Sequence, residues 1–180
     1  KSGTLINIDS QFDLNHIATI AEQMDRRVNV MVRIIPNLKS KVHSYLATGF
    51  DETKFGIPLP KLPSMVEQIS TKRNLKLVGI HCHLGSTIET VEIFKQTIII
   101  LEQQFKFINH RGIELKYINL GGGLGIDYHH QNEYYPTASD LVRAIKSHIP
   151  HDSTLILEPG RSIVGNAGML VCKVIGVKRN

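Results

Sequence analysis

KLVGIHCHLGS, residues 76–86, is an apolar run that ends in two histidines, a glycine and a serine, and its reading decides the fold. Side chains alternate along a β-strand, so His81 and His83 share one face and Cys82 takes the other. The residues that follow change period. Val91, Phe94, Ile98, Leu101 and Phe105 recur at spacings of three and four, the stripe of an amphipathic helix. Strand, turn, helix is the unit from which parallel α/β folds are built.

Working outward, the same alternation repeats. LINID (5–9), VNVMVRI (28–34), LKYINL (115–120) and TLILE (154–158) read as further strands. Between them lie helical stripes: Leu14, Ile17 and Ile20; Met65, Val66 and Ile69; Leu141, Val142 and Ile145. These stripes predict the core-facing sides of helices. Asp13 marks one helix start, Gly112 follows the long helix and Pro150 closes the next. The order predicts a parallel sheet or barrel, and five strands are roughly half of a closed (β/α)8 barrel, which needs about 250 residues. The long connection over 36–63 is expected to be functional or to carry short structure of its own. Beyond Arg161 the pattern changes: SIVGNAG is small and turn-like, and GMLVCKVIGVKRN reads as a strand with no following helix. The predicted organisation is therefore a partial barrel over 1–166 and the first strand of a β domain over 167–180. Both ends read as cut.

With 180 residues, 42% hydrophobic and 21% charged, the chain can bury a sizeable core. Its net charge of +5 is spread over basic residues in ones and twos, without the clusters or interleaved aromatics of a nucleic-acid surface. No apolar run reaches the roughly 18 to 20 residues needed to cross a bilayer, and the opening KSGTLINIDS has no signal or transit pattern. Cys82 and Cys172 form no disulfide framework or zinc pattern, which points to a reducing compartment, by default the cytoplasm.

The unusual residues fall at or just past the C-terminal ends of predicted strands, where barrel enzymes assemble their sites. They are Arg33, His83, the run 121–123 and the run 158–161. GGGLG (121–125) offers successive backbone N–H groups with no side chains in the way, suited to wrapping phosphate oxygens. A plain flexible loop is the bland alternative, and a dinucleotide fingerprint fits poorly because no acidic residue follows at the required distance. The two histidines could hold zinc, but no third ligand is indicated, and a structural role is the plainer reading for His81. His83 adjoins LGS, whose Ser86 can donate to a phosphate. EPGR (158–161) joins a carboxylate, a rigid Pro turn, a permissive Gly and a guanidinium. A structural ion pair would explain Glu158 and Arg161 singly, but not their company with two other phosphate-ready loops.

Taken in order, HxGS, GGGxG and EPGR resemble the fold type III pyridoxal phosphate-dependent decarboxylases, which share an alanine racemase-like (β/α)8 barrel. The resemblance spans nearly the whole chain, through INIDS, RIIPN, HSYLATGFDETKFGI, GIHCHLGS, INLGGGLGIDY and EPGRSIVGNAG. Within the family, ATG...KFGI, LGGGLGIDY and EPGRSIV are most similar to the diaminopimelate decarboxylases. That similarity implies conversion of meso-diaminopimelate to L-lysine by the full-length enzyme. Ornithine, arginine or carboxynorspermidine decarboxylation remain alternatives, as does a non-catalytic homologue acting as a binding partner.

The resemblance also implies residue roles. Glu158 would sit against the pyridine nitrogen of pyridoxal 5'-phosphate, and His83 would stack on the ring, making these the catalytic pair. Ser86, the backbone N–H groups of Gly122 and Gly123, and Pro159, Gly160 and Arg161 would complete the cofactor site. Arg161 would also reach a substrate carboxylate, with Arg33 and Lys54 in support. No metal is implied. The family's Schiff-base lysine has no counterpart in a matching context here, and its Cys-Glu-Ser-type segment and substrate-binding tyrosine lie in a part this sequence does not contain. The family's sites are completed across a homodimer. Residues 1–180 are accordingly expected to be inactive alone.

Overall fold

The computed structural model describes residues 3–36, 38, 55–128 and 134–178. The strands and α-helices of the described residues are β1 (Leu5–Ile8), α1 (Gln11–Gln23), β2 (Val28–Ile35), β3 (Ile57–Pro58), α2 (Leu62–Ser70), β4 (Leu75–His81), α3 (Val91–Asn109), β5 (Tyr117–Asn119), α4 (Ala138–Ile145), β6 (Thr154–Ile156) and α5 (Arg161–Val164). Capping side chains mark the starts of α1, α3 and α4. The Ser10 hydroxyl accepts the Asp13 N–H at 3.2 Å and donates to the Asp13 carboxylate at 2.9 Å, opening α1. Thr137 and Asp140 form a reciprocal capping box at the start of α4.

The sheet order is β1-β2-β4-β5-β6, every pairing is parallel, and β3 joins the end of β2 through Ile34 opposite Ile57. Each of the five main strands is added on the same side of its predecessor. A doubly wound sheet reverses direction at a switch point, whereas unidirectional addition curls into a barrel, so the sheet is an arc of a (β/α) barrel. The register slips once. Val30 lies opposite Leu77 and Met31 opposite Gly79, leaving Val78 as an extra residue in β4.

Helices cover one face of the arc. Leu14 and Ala21 of α1, Met65, Val66 and Ile69 of α2, and Phe94, Ile98, Leu101 and Phe105 of α3 are buried in one core with Val30, Val32, Leu77, Ile80 and Ile118 of the strands. Ile20 and Val142, read from the sequence as core residues, are 41% and 42% exposed. At 100° per residue Ile20 falls far round the helix from Leu14 and Ala21, and Val142 lies off the line through Leu141 and Ile145. Part of the 36–63 connection does carry short structure, namely β3 and a 3-10 turn over Leu59–Lys61. The strand expected in 168–180 is not formed over the described residues 168–178. A strand needs neighbouring backbone to satisfy its N–H and C=O groups, and no ladder pairs this segment. Its Met169, Leu170, Val171, Val174, Ile175 and Val177 are exposed.

Candidate active site

The strand ends carry the polar residues to one rim. Beside β1 and β2, Arg33 Nη1 donates to Asp9 Oδ1 at 3.2 Å, and the guanidinium lies 5.2 Å from the centroid of the Phe55 ring. Arg33 is in register with His81 on β4. Farther along, β6 stops at Ile156, and Glu158 lies just past its end, where its N–H donates to the Gly121 carbonyl at 2.8 Å. The Glu158 carboxylate is 43% exposed and meets three side chains. Its Oε1 accepts from Asn119 Nδ2 at 2.8 Å and lies 3.6 Å from His81 Nε2, while Oε2 stands 4.0 Å from His83 Nδ1.

The glycine run lets three loops touch. A methyl group on Gly122 would strike the Glu158 carbonyl, and one on Gly123 would strike the carbonyl of Gly85. Gly121 has φ +70°, and a Cβ there would come within 2.6 Å of the Cys82 carbonyl oxygen. Hydrogen bonds lace the loops together, with the Ile88 N–H donating to Gly123 at 2.8 Å and the Gly125 N–H returning to Ile88 at 2.9 Å. The HLGS turn, the GGGLG turn and the EPGR turn thus pack directly on one another.

Burial dominates the ionisation of the site. His81 is buried, and desolvation pushes its pKa down to about 4 against the raising effect of Glu158, with Arg33 and His83 lowering it further. Burial and then the Arg33 guanidinium also hold His83 below the usual histidine range, with Glu158 pulling the other way. The Gly122 N–H donates to His83 Nδ1 at 3.3 Å, which requires that nitrogen to be an unprotonated acceptor. Both imidazoles are therefore neutral near pH 7. Cys82, on the opposite face of the strand, is fully buried and its thiol is pushed up to about 12 by desolvation.

His83, Gly122 and Glu158 are thus brought together as expected from the sequence. Ser86 is exposed on the HLGS turn, Pro159 and Gly160 are exposed beside Glu158, and Arg161 lies 5.6 Å from the Tyr128 ring centroid. Lys54 lies outside the described residues. Sequence reading missed Asp9 as the partner of Arg33 and Asn119 as the partner of Glu158. The available signal was their position, a polar residue at or beside a strand end facing the rim. Among the described residues, no group of three or more His, Cys, Asp or Glu side chains is placed to hold a metal ion, and no helix is long and apolar enough to cross a membrane.

Residues 2–165 match the family model described as the pyridoxal binding domain of pyridoxal-dependent decarboxylases, and the chain belongs to that family. Its relatives narrow the likeness. A probable chloroplastic diaminopimelate decarboxylase of Oryza sativa subsp. japonica is 44% identical, covering 100% of this chain and 37% of the rice protein. The diaminopimelate decarboxylase of Aquifex aeolicus is 33% identical over 94% of this chain and 40% of its own length. Among solved structures, the diaminopimelate decarboxylase of M. jannaschii in complex with L-lysine superposes with a TM-score of 0.80 at 32% identity, covering 88% of this chain and 38% of that one. The chain spans about two-fifths of the length of these relatives.

The family's cofactor is pyridoxal 5'-phosphate. The rim fits such a group: a neutral imidazole beside a carboxylate with one oxygen unclaimed, a hydroxyl, a guanidinium and small turns. A Cβ placed on Gly85 or Gly160 would meet nothing within 4 Å, so both turns border open space.

Proposed function

We propose that the full-length protein is a pyridoxal phosphate-dependent decarboxylase that converts meso-diaminopimelate to L-lysine. The observation that carries this reading is the meeting of His83, Gly122 and Glu158 from three separate loops at one rim. The diaminopimelate specificity is supported by relatives of that name at 44% and 33% identity.

In this reading Glu158 holds a proton on the pyridine nitrogen, because an adjacent carboxylate favours the cationic ring. The cofactor, when bound, supplies an electron sink for the pair left behind by departing carbon dioxide. His83, kept neutral, would lie against the ring without opposing the charge on its nitrogen. Ser86, Gly123, Gly160 and Arg161 hold the phosphate, with Pro159 stiffening their turn. The backbone N–H of Gly122, which here makes a long 3.3 Å bond to His83, would be a further phosphate donor. Hydrogen bonds to such a charged group contribute about 1.5 to 3 kcal/mol each. Arg161 would also reach a substrate carboxylate, with Arg33 and Lys54 in support.

The same reading makes residues 167–180 the beginning of a β domain, which would cover the exposed apolar side chains of that segment. It makes the active form a homodimer, and a reducing compartment, the cytoplasm or a plastid, its setting. Residues 1–180 alone are expected to release no carbon dioxide.

The test is carbon dioxide release by the full-length protein from meso-diaminopimelate, ornithine, arginine and carboxynorspermidine in parallel. The expected outcome is release from meso-diaminopimelate, with L-lysine formed and Glu158→Gln lowering kcat while cofactor stays bound. A clear preference for any of the other three substrates would sink the specificity. Inactivity on all four, with cofactor bound, would favour a binding partner.

A further inference from the structure

The Glu158 carboxylate is partly exposed, yet one of its oxygens is held, and what holds it is a residue with no part in the reading above. Asn119, buried at the end of β5, donates from Nδ2 to Glu158 Oε1 at 2.8 Å, while its Oδ1 accepts the N–H of Gly121 at 2.8 Å. One amide therefore joins the carboxylate just past β6 to the backbone of the glycine turn that follows β5. His81 Nε2 is the other group beside Oε1, but at 3.6 Å it makes no hydrogen bond, and both ring nitrogens of this buried imidazole have no hydrogen-bond partner. The orientation of Glu158 falls to Asn119. With Oε1 occupied, Oε2 is left with His83 Nδ1 at 4.0 Å, on a side chain that is 43% exposed.

We propose that Asn119 is a positioning residue that locks Oε1 of Glu158 and couples the carboxylate to the glycine turn, presenting Oε2 to the ring nitrogen of the cofactor. The inference rests on the reading of Glu158 given above. Movement of the GGGLG turn would then be transmitted to the carboxylate through a single side chain, so that phosphate binding and ring-nitrogen protonation are linked.

The experiment uses the full-length holoenzyme loaded with pyridoxal 5'-phosphate labelled with nitrogen-15 in the ring, whose chemical shift reports protonation of that nitrogen. Three variants are compared with wild type: Glu158→Gln, Asn119→Leu and Asn119→Asp. Glu158→Gln is expected to move the signal toward the unprotonated value. Asn119→Leu, which removes both hydrogen bonds at similar volume, is expected to move it in the same direction and to lower kcat about tenfold to a hundredfold with KM little changed. Asn119→Asp keeps an acceptor for Gly121 but faces Glu158 with a second carboxylate. The pair must then share a proton, giving the ring-nitrogen signal a pH-dependent step absent from wild type. Asn119→Asp also carries the test if Asn119→Leu does not fold. If Glu158→Gln moves the signal and both Asn119 variants superpose on wild type at every pH, the role of Asn119 is overturned and that of Glu158 stands. An unmoved signal in Glu158→Gln overturns both.

Discussion

Gly122 abuts the carbonyl of Glu158 so closely that no side chain fits between the tips of β5 and β6. The same junction is tied by the Glu158 N–H to the Gly121 carbonyl, at 2.8 Å. Gly122→Ala must therefore push the two strand ends apart. The expected cost is about 1–3 kcal/mol of stability, with pyridoxal phosphate affinity weakened at least tenfold in a fluorescence titration. Gly160→Ala is the contrast, since its methyl group would meet nothing within 4 Å. That variant should keep the stability of the cofactor-free protein and affect only binding. Unchanged stability and affinity in Gly122→Ala would refute the close-contact account.

His81 gives the protein a pH dependence with a definite sign. Its folded-state pKa of about 4 lies below the ordinary 6.5. Between those values the unfolded chain binds a proton that the folded chain refuses. The stabilising contribution is complete above pH 6.5 and is lost as pH falls through 4, reaching about 3 kcal/mol. His81→Phe removes the titrating group and the unpartnered ring nitrogens together. Urea midpoints measured from pH 7 to pH 4 should fall less steeply for the variant than for wild type, and parallel curves would refute the assignment.

Cys82 should be chemically silent. Its thiol is fully buried and pushed up to about 12, so the thiolate is scarce at any ordinary pH. Alkylation at pH 8 followed by peptide mass spectrometry should leave Cys82 unmodified in the native protein and label it after denaturation. Labelling of native Cys82 within minutes would contradict the structure.

Ser10 closes the first turn of α1 through its reciprocal bonds with Asp13. Ser10→Ala should cost about 1 kcal/mol, the ordinary value of a helix N-cap. A shift in the denaturation midpoint measures it, and no shift would mean that the Asp9 N–H bond to Asp13 holds the turn by itself.

The five main strands were legible as short runs rich in Val, Ile and Leu, and the helices because their buried stripes keep a 3.6-residue period. β3 was not, since two residues that include Pro58 carry no period at all. The meeting of the three loops was legible in their glycines, histidine and EPGR turn, residue types that gather where chains must pack closely. Asn119 escaped notice because an asparagine before a glycine run reads equally well as turn punctuation. Only the fold reveals that its amide turns toward a carboxylate 39 positions away.

The extra residue at Val78 has an effect beyond local geometry. Below it the hydrophobic layer under the helices takes Leu75 and Leu77; above it the same layer takes Ile80, Cys82 and Leu84. The strand changes from odd to even in the middle, and a one-residue offset exchanges its two faces. Were the alternation unbroken, the imidazoles of His81 and His83 would be packed among leucines, and the inert thiol of Cys82 would look out over the rim. A single surplus amino acid thus decides which chemistry this strand presents to a ligand.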